Sequence, residues 1–323
     1  MNISKFIKLS ELYGNKAAAQ YMFKKSGLFK GELLLFPPPY LIENIKKELK
    51  KKSGKLNDFT VRFSKKNQIN MPRGFFKTYN EAMTFIEQNI DNYNDACIII
   101  HRVIMPIFSY ELYWDDETFF VQIQPGIWEV DNTYPPDIML KTGENVKLYS
   151  YSEAKTCRTI DENFKFKLKR TSPLSFDFLK SRYLDITNLK GTLEPFKTIF
   201  NPLFCHYIED INGECQFLNA RRTSKLKMND TLDEISVFHE VRSLKDIDIW
   251  DGKKPILFAI NSKRDNDSEI IQAAQIFAGQ KVYIRYGLLS HPAILLRECN
   301  VKVEQVFSVY KTKLIKIENE LSR

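Results

Sequence analysis

Strand-like and helix-like segments alternate along the chain. Asp58 to Ser64 sets apolar Phe59, Val61 and Phe63 against Thr60, Arg62 and Ser64, which predicts a strand with one apolar and one polar face. Ala96–Ile100, Phe108–Trp114 and Thr118–Gln124 predict further strands. Helical spacing follows a Gly14–Asn15 turn at Lys16–Phe23 and recurs at Tyr79–Ile90, where Ala82, Phe85, Ile86 and Ile90 share a face. Another helix begins after Pro37–Pro39 and ends on the basic run Lys46–Lys52. Phe204–Glu209 and Cys215–Arg222 flank an Asn212–Gly213 turn and predict a β-hairpin. The stretch 140–202 gives a strand at Phe164–Leu168 and helices at Phe176–Leu189 and Leu193–Phe200. From Asp251 a smaller α/β pattern follows: a strand, a helix at Asp267–Ala278, strands at Lys281–Tyr286 and Leu314–Glu318, and a short helix between them.

That short helix carries the most chemistry. In Gly287–Glu298, Ser290 suits the N-cap, Pro292 fits the first turn and Ala293–Leu296 supply an apolar face. His291 then sits at a helix N-terminus, where the dipole disfavours a protonated ring and welcomes a phosphate. A neutral imidazole is a competent nucleophile. The plainer reading is a histidine that caps and packs.

Composition narrows the classes. Hydrophobic residues make up 43% and aromatic residues 13%, which indicates a folded protein. The longest apolar runs, Ala96–Ile100 and Pro292–Leu296, are too short to span a bilayer, and the first residues hold no signal-like apolar region. The five cysteines are scattered without a Cys-x-x-Cys pair, so a reduced cytoplasmic protein without structural zinc is expected. The net charge of +8 comes without any aromatic-interleaved basic motif, so nucleic acid is not the expected partner. A positive surface also suits a nucleotide-phosphate site. His239 beside Glu240 reads as a surface pair rather than an acid–base or metal site.

Several short words, in order, resemble the phosphoenolpyruvate-utilising enzyme family, that of phosphoenolpyruvate synthase, pyruvate phosphate dikinase and rifampin phosphotransferase. Gly287, Leu289, Ser290, His291, Ala293, Ile294, Arg297 and Glu298 match its phosphohistidine motif, with Pro292 where a small residue is usual. Gly14–Ala17 resembles the Gly-Lys-Ala opening of its ATP-grasp domain, Val61–Ser64 its Val-Arg-Ser-Ser strand, and Met71–Phe76 the loop over the phosphates. Gly126, Glu129, Pro136 and Asp137 stand where the family has a Gly-x-Gly-Glu element and a Pro-Asp. The 204–222 hairpin resembles the one that binds metal in the family.

The resemblance implies an α/β (α+β) protein with an ATP-grasp-like nucleotide domain over 1–245 and a swivelling phosphohistidine-like domain over 250–323. Lys16, Arg62 and Arg221 would neutralise ATP phosphates. Asn219 and Glu209 would hold Mg²⁺, although register puts Tyr207 or Ile208 where the family has its Glu. His291, with Arg297, would carry a phosphoryl group to a small-molecule or protein acceptor, which a partner chain would present. The alternative is a degenerate member that binds a nucleotide or a partner without turnover.

Overall fold

Helix α1 (Ile3–Lys25) is two helices joined at Gly14, whose φ of 73° and ψ of 160° lie in a region that glycine alone occupies readily. A Cβ at Gly14 would stand 2.8 Å from the Lys65 carbonyl carbon and the Ser64 Oγ, so the backbone approach also demands glycine. The computed structural model describes residues 3–52, 54, 56–66, 71–127, 135–142, 144–153, 155–226, 238–260, 267–306 and 310–316. After α1 come β1 (Leu33–Phe36), α2 (Ile42–Lys52), β2 (Phe59–Ser64), β3 (Arg73–Phe76), α3 (Tyr79–Ile90) and β4 (Cys97–His101). The four strands form an antiparallel sheet in the order β1-β4-β2-β3. Val61, Phe63, Ile98 and Ile100 cover one face together with Ile45 and Leu49 of α2 and Ala82 and Ile86 of α3. Period-2 geometry turns Thr60, Arg62 and Ser64 the other way, beside His101 and Cys97, towards α1, whose Ala17 packs on Cys97 and Ile99.

The second layer comprises β5 (Pro106–Trp114), β6 (Phe119–Pro125), β7 (Asp137–Thr142), β8 (Asn145–Tyr151), the hairpin β9 (Lys155–Ile160) and β10 (Phe166–Thr171), then α4 (Phe176–Asn188), α5 (Lys190–Ile199), β11 (Leu203–Asp210) and β12 (Cys215–Arg222). Except for the β9–β10 pair, these strands form one antiparallel sheet running β12-β11-β5-β6-β7-β8. Every residue of β6 is buried, because both faces of the sheet are covered. One face, with Leu112, Val121, Cys205 and Tyr207, meets Phe23 of α1, Tyr183 of α4 and Phe196 of α5.

The opposite face carries Tyr113, Phe120, Ile138, Leu140 and Phe204, and it packs on the C-terminal layer. That layer is β13 (His239–Val241), α6 (Leu244–Asp248), β14 (Ile256–Phe258), α7 (Asp267–Ile276), β15 (Lys281–Ile284), α8 (His291–Glu298) and β16 (Lys302–Gln305), a parallel sheet in sequence order. The chain then returns as β17 (Tyr310–Lys316), which pairs antiparallel with β8 as the seventh strand of the large sheet. The expectation of a separately moving domain over 250–323 therefore meets a shared core. Rotating the layer away would expose Tyr113, Phe120, Ile138, Leu140 and Phe204 with their partners. At roughly 1.5–3 kcal/mol for each large side chain, that costs on the order of 10 kcal/mol. Among the described residues no helix is long and apolar enough to cross a membrane.

Candidate phosphate site

The break at Gly14 starts a fresh helical segment, and Lys16 stands in its first turn. Gln20 follows one turn later on the same side. The Lys16 residue remains open to solvent, yet its ammonium is pushed down to about 8. Burial contributes most, then the charges of Arg62, Arg73 and Arg221, and solvent at the exposed residue screens part of the effect. Arg62 is lowered to about 10 by burial and by Arg73, its cross-strand partner on β3. His206 of β11 is lowered to about 4, by burial first and then by Arg62, Lys16, Arg221 and Arg73. The structure thus gathers Lys16, Arg62 and Arg221 from three distant sequence words into one electrostatic neighbourhood. It adds Arg73 and a neutral His206 to them.

The walls of this seam are buried and polar. Gln20, Thr60 and Glu111 are each no more than 8% exposed. Both amide atoms of Gln20, Thr60 Oγ1, Glu111 Oε2, His206 Nε2 and Arg221 Nε are buried without a hydrogen-bond partner among the described residues. An unmet buried polar group costs about 1–3 kcal/mol, so their concentration here marks a place shaped for a polar occupant.

Strand register aligns part of this set. Asn219 pairs with His206, His206 with Glu111, and Glu111 with Gln122, a polar row across β12, β11, β5 and β6 on one face. In the next row Arg221 faces Phe204 and lies 4.9 Å from its ring centre. The turn before α8 closes over the row: the Leu289 N–H donates to Gln122 Oε1 at 3.0 Å, and a Cβ at Gly287 would fall 2.2 Å from Gln122 Nε2. At the far end of α8, Glu298 is near enough to raise the otherwise burial-lowered Arg221. Burial drives the Glu111 carboxyl well above the usual carboxylate range, with Arg221 opposing. Sequence reasoning passed over Glu111, yet a single carboxylate between Tyr110 and Leu112 in a strand buried on both faces is the signal that could have found it.

Glu209 does not join Asn219. The alternation of β11, whose pairing with β5 runs unbroken from Leu203 to Glu209, puts Glu209 on the opposite face of the sheet from His206, with Tyr110 and Tyr207. There it accepts hydrogen bonds from Tyr110 Oη at 2.7 Å and from Arg182 Nη2 at 2.7 Å, with the carboxylate nearly sealed. The Glu209–Asn219 pair therefore does not fit a shared Mg²⁺. Tyr207 is also turned away, stacked between Tyr110 and Phe217.

His291 opens α8 as expected, after the Ser290 N-cap, on the same side of the large sheet as the cation cluster. Its ring is one-third exposed and its Nε2 lies 3.1 Å from Asp267 Oδ1. Arg297 is lowered to about 10 by burial; its Nε donates to Ser224 Oγ at 3.2 Å, and both terminal nitrogens lack partners among the described residues. Asp137 is sealed in an ion pair with Lys155 at 2.6 Å, away from this face. His239 binds the Asp246 carbonyl and Glu240 pairs with Arg242, as a surface pair would. Glu129 lies outside the described residues.

No family model matches the chain, and no curated protein does. Among solved structures it is similar to D-alanyl-alanine synthetase A from Vibrio cholerae O1 biovar eltor (8% identity, TM-score 0.39, covering 68% of this chain and 56% of that one). It is similar to the D-alanine-D-alanine ligase from Coxiella burnetii at 9% identity and TM-score 0.38, over 68% of this chain and 49% of that one. An ADP complex of N5-carboxyaminoimidazole ribonucleotide synthetase gives 11% identity and TM-score 0.37, over 71% and 50%. The chain spans about half the length of these proteins. At these scores the likeness decides neither fold nor activity.

Proposed function

We propose that the protein binds ATP by its phosphates at the α1–β2–β12 seam and serves ATP-dependent phosphoryl transfer, with an ATP-grasp-like arrangement around the nucleotide. The observation that carries this reading is the convergence of Lys16, Arg62, Arg73 and Arg221: Lys16 is lowered by burial and by all three arginines, and Arg62 by burial and by Arg73. Like charges crowded beside buried, unpaired polar groups are unstable alone and become favourable around a polyanion. Fixed cations are also what phosphoryl transfer needs, because charge spreads over the transferred group as its bond to the β-phosphate oxygen breaks and ADP leaves. Lys16, Arg62 and Arg221 neutralise phosphate oxygens in this scheme, and the acceptor, a small molecule or a protein, comes from outside the chain.

In the finer form of this reading, His291 receives the phosphoryl group before the acceptor does. Asp267 on Nε2 supports it by fixing the ring, as an orienting carboxylate does for a catalytic imidazole. The core shared between the C-terminal layer and the large sheet opposes a shuttle that works by rotating that layer. Mass spectrometry at high pH after incubation with ATP decides the point: an alkali-stable phosphoryl group on His291, lost in His291→Ala, is required. A nucleotide-binding protein without turnover is the second reading, favoured by the engagement of Glu209 with Arg182 and Tyr110.

Calorimetry with ATP in EDTA tests the common premise. Wild type binds, and Arg221→Met weakens binding at least about tenfold, the loss of one charge-assisted hydrogen bond of roughly 1.5–3 kcal/mol. Absence of any ATP or tripolyphosphate binding in wild type removes the reading.

A further inference from the structure

The face of the large sheet turned away from the cation cluster has a cleft of its own. Tyr110, Tyr207 and Phe217 are direct cross-strand partners on β5, β11 and β12, and the rings on either side of Tyr207 stack with centres 4.6 Å from its own. Glu209 stands two residues beyond Tyr207 and so shares that face. The Gly27–Leu28 turn after α1, the second half of α4 and the turn of the β11–β12 hairpin close around this group. They leave a cleft of about 390 Å³, within the range of small-molecule sites. We infer that the cleft binds a small organic cation, a primary ammonium carried on an apolar body. The inference does not rest on the phosphate reading, which concerns the other face of the sheet.

Three observations support it. Tyr207 is fully buried and forms part of the cleft wall, yet its hydroxyl has no hydrogen-bond partner among the described residues. Burial first, and then Tyr110, push this phenol well above its ordinary value, so it stays neutral and its oxygen lone pairs can accept. Second, the charged groups of the lining are Lys30 and Arg182 against Asp185, Glu209 and Glu214, which leaves one negative charge in excess. Lys30 is paired with Glu214 at 3.2 Å. Arg182 commits Nη1 to Asp185 at 3.1 Å and Nη2 to Glu209 at 2.7 Å, so both ends of its fork are taken by carboxylates. An anion therefore finds no free fork to clamp it, whereas an ammonium balances the surplus charge and brings three donors and no acceptor. Third, Leu28, Ile186, Leu189 and Phe217 line the remainder, which suits a carbon body behind the charged head.

The test uses the full chain and three probes of one shape: phenethylamine, its neutral counterpart phenethyl alcohol and the anionic hydrocinnamate. Binding is followed by saturation-transfer NMR at neutral pH. The amine is expected to bind at least about tenfold more tightly than the alcohol, the worth of one charge-assisted hydrogen bond, and hydrocinnamate no better than the alcohol. Tyr207→Phe lowers the amine affinity by about tenfold and raises the melting temperature of the ligand-free protein, because an unmet buried hydroxyl is gone. A steadier fold that binds less is a result no damaged variant produces. Asp185→Asn alters a side chain that is 56% exposed, removes the surplus charge, and weakens the amine while leaving the alcohol as it was. Equal binding of amine and alcohol, an amine affinity indifferent to Tyr207→Phe, or no amine bound by wild type overturns the site.

Discussion

Lys16 shows what a functional residue costs its own protein. Its ammonium is lowered to about 8, by burial first and then by Arg62, Arg73 and Arg221, against 10.5 for a free lysine. A depressed lysine binds protons less readily when folded than when unfolded. Its unfavourable contribution is therefore fully present below about pH 8 and relaxes as pH rises towards 10.5. Lys16→Met should raise the urea midpoint of the ligand-free protein at pH 7, and that advantage should shrink between pH 8 and 10.5. The same substitution should weaken tripolyphosphate binding by about tenfold, a stability-for-function exchange typical of preorganised sites. Glu209 presents the opposite case. Removing it leaves Arg182 and Tyr110 without their shared partner, so Glu209→Ala should cost about 3 kcal/mol in urea unfolding. Tripolyphosphate affinity should stay unchanged, because the carboxylate faces away from the cluster.

At the scale of elements, the site depends on how α1 enters the seam between the four-stranded β1-β4-β2-β3 sheet and the large sheet. The Gly14 kink lets the second half of α1 pass close to the end of β2 and brings Lys16 beside Arg62. Gly14→Ala puts a side chain into a glycine-only conformation and into contact with Lys65 and Ser64, at a cost of roughly 1–3 kcal/mol. The expected outcome is a lower melting temperature together with weaker tripolyphosphate binding, measured on the same sample. A melting temperature equal to wild type would show that α1 can straighten without displacing Lys16. The irregularity where β12 meets β11 is the second decisive detail. It skips Leu218 of β12, with Tyr207 opposite Phe217 and His206 opposite Asn219, so that Phe217 and Ala220 share the apolar core on one face while Asn219 and Arg221 take the other.

For the whole molecule, the C-terminal layer and the large sheet share one apolar core and are joined again by β17. One cooperative transition shared by these two layers follows from that continuity. Trp114 reports on the large sheet and Trp250 on the C-terminal layer. Variants retaining only one or the other should unfold at the same denaturant concentration when followed by fluorescence. Two separated midpoints would restore an independently folding domain over 250–323 and, with it, room for a swivelling His291.

The sequence by itself determined most of the elements, because their signals are local. Period-2 alternation placed β2, the Asn212–Gly213 turn placed the β11–β12 hairpin, and Ser290 fixed the start of α8. It also singled out Lys16, Arg62 and Arg221, which the structure brings into one neighbourhood. The first half of α1 and strands β7 to β9 were not legible, since their order comes from neighbours distant in sequence. Only the tertiary structure decided that the polar face of β2 looks into a seam instead of into water, for alternation reports that two faces differ and not what covers them. Only the register of β5, β11 and β12 decided that Glu111 and His206 lie beside Asn219 while Glu209 does not. A one-residue offset leaves composition and spacing almost untouched, yet it moves a carboxylate through the sheet to its other side.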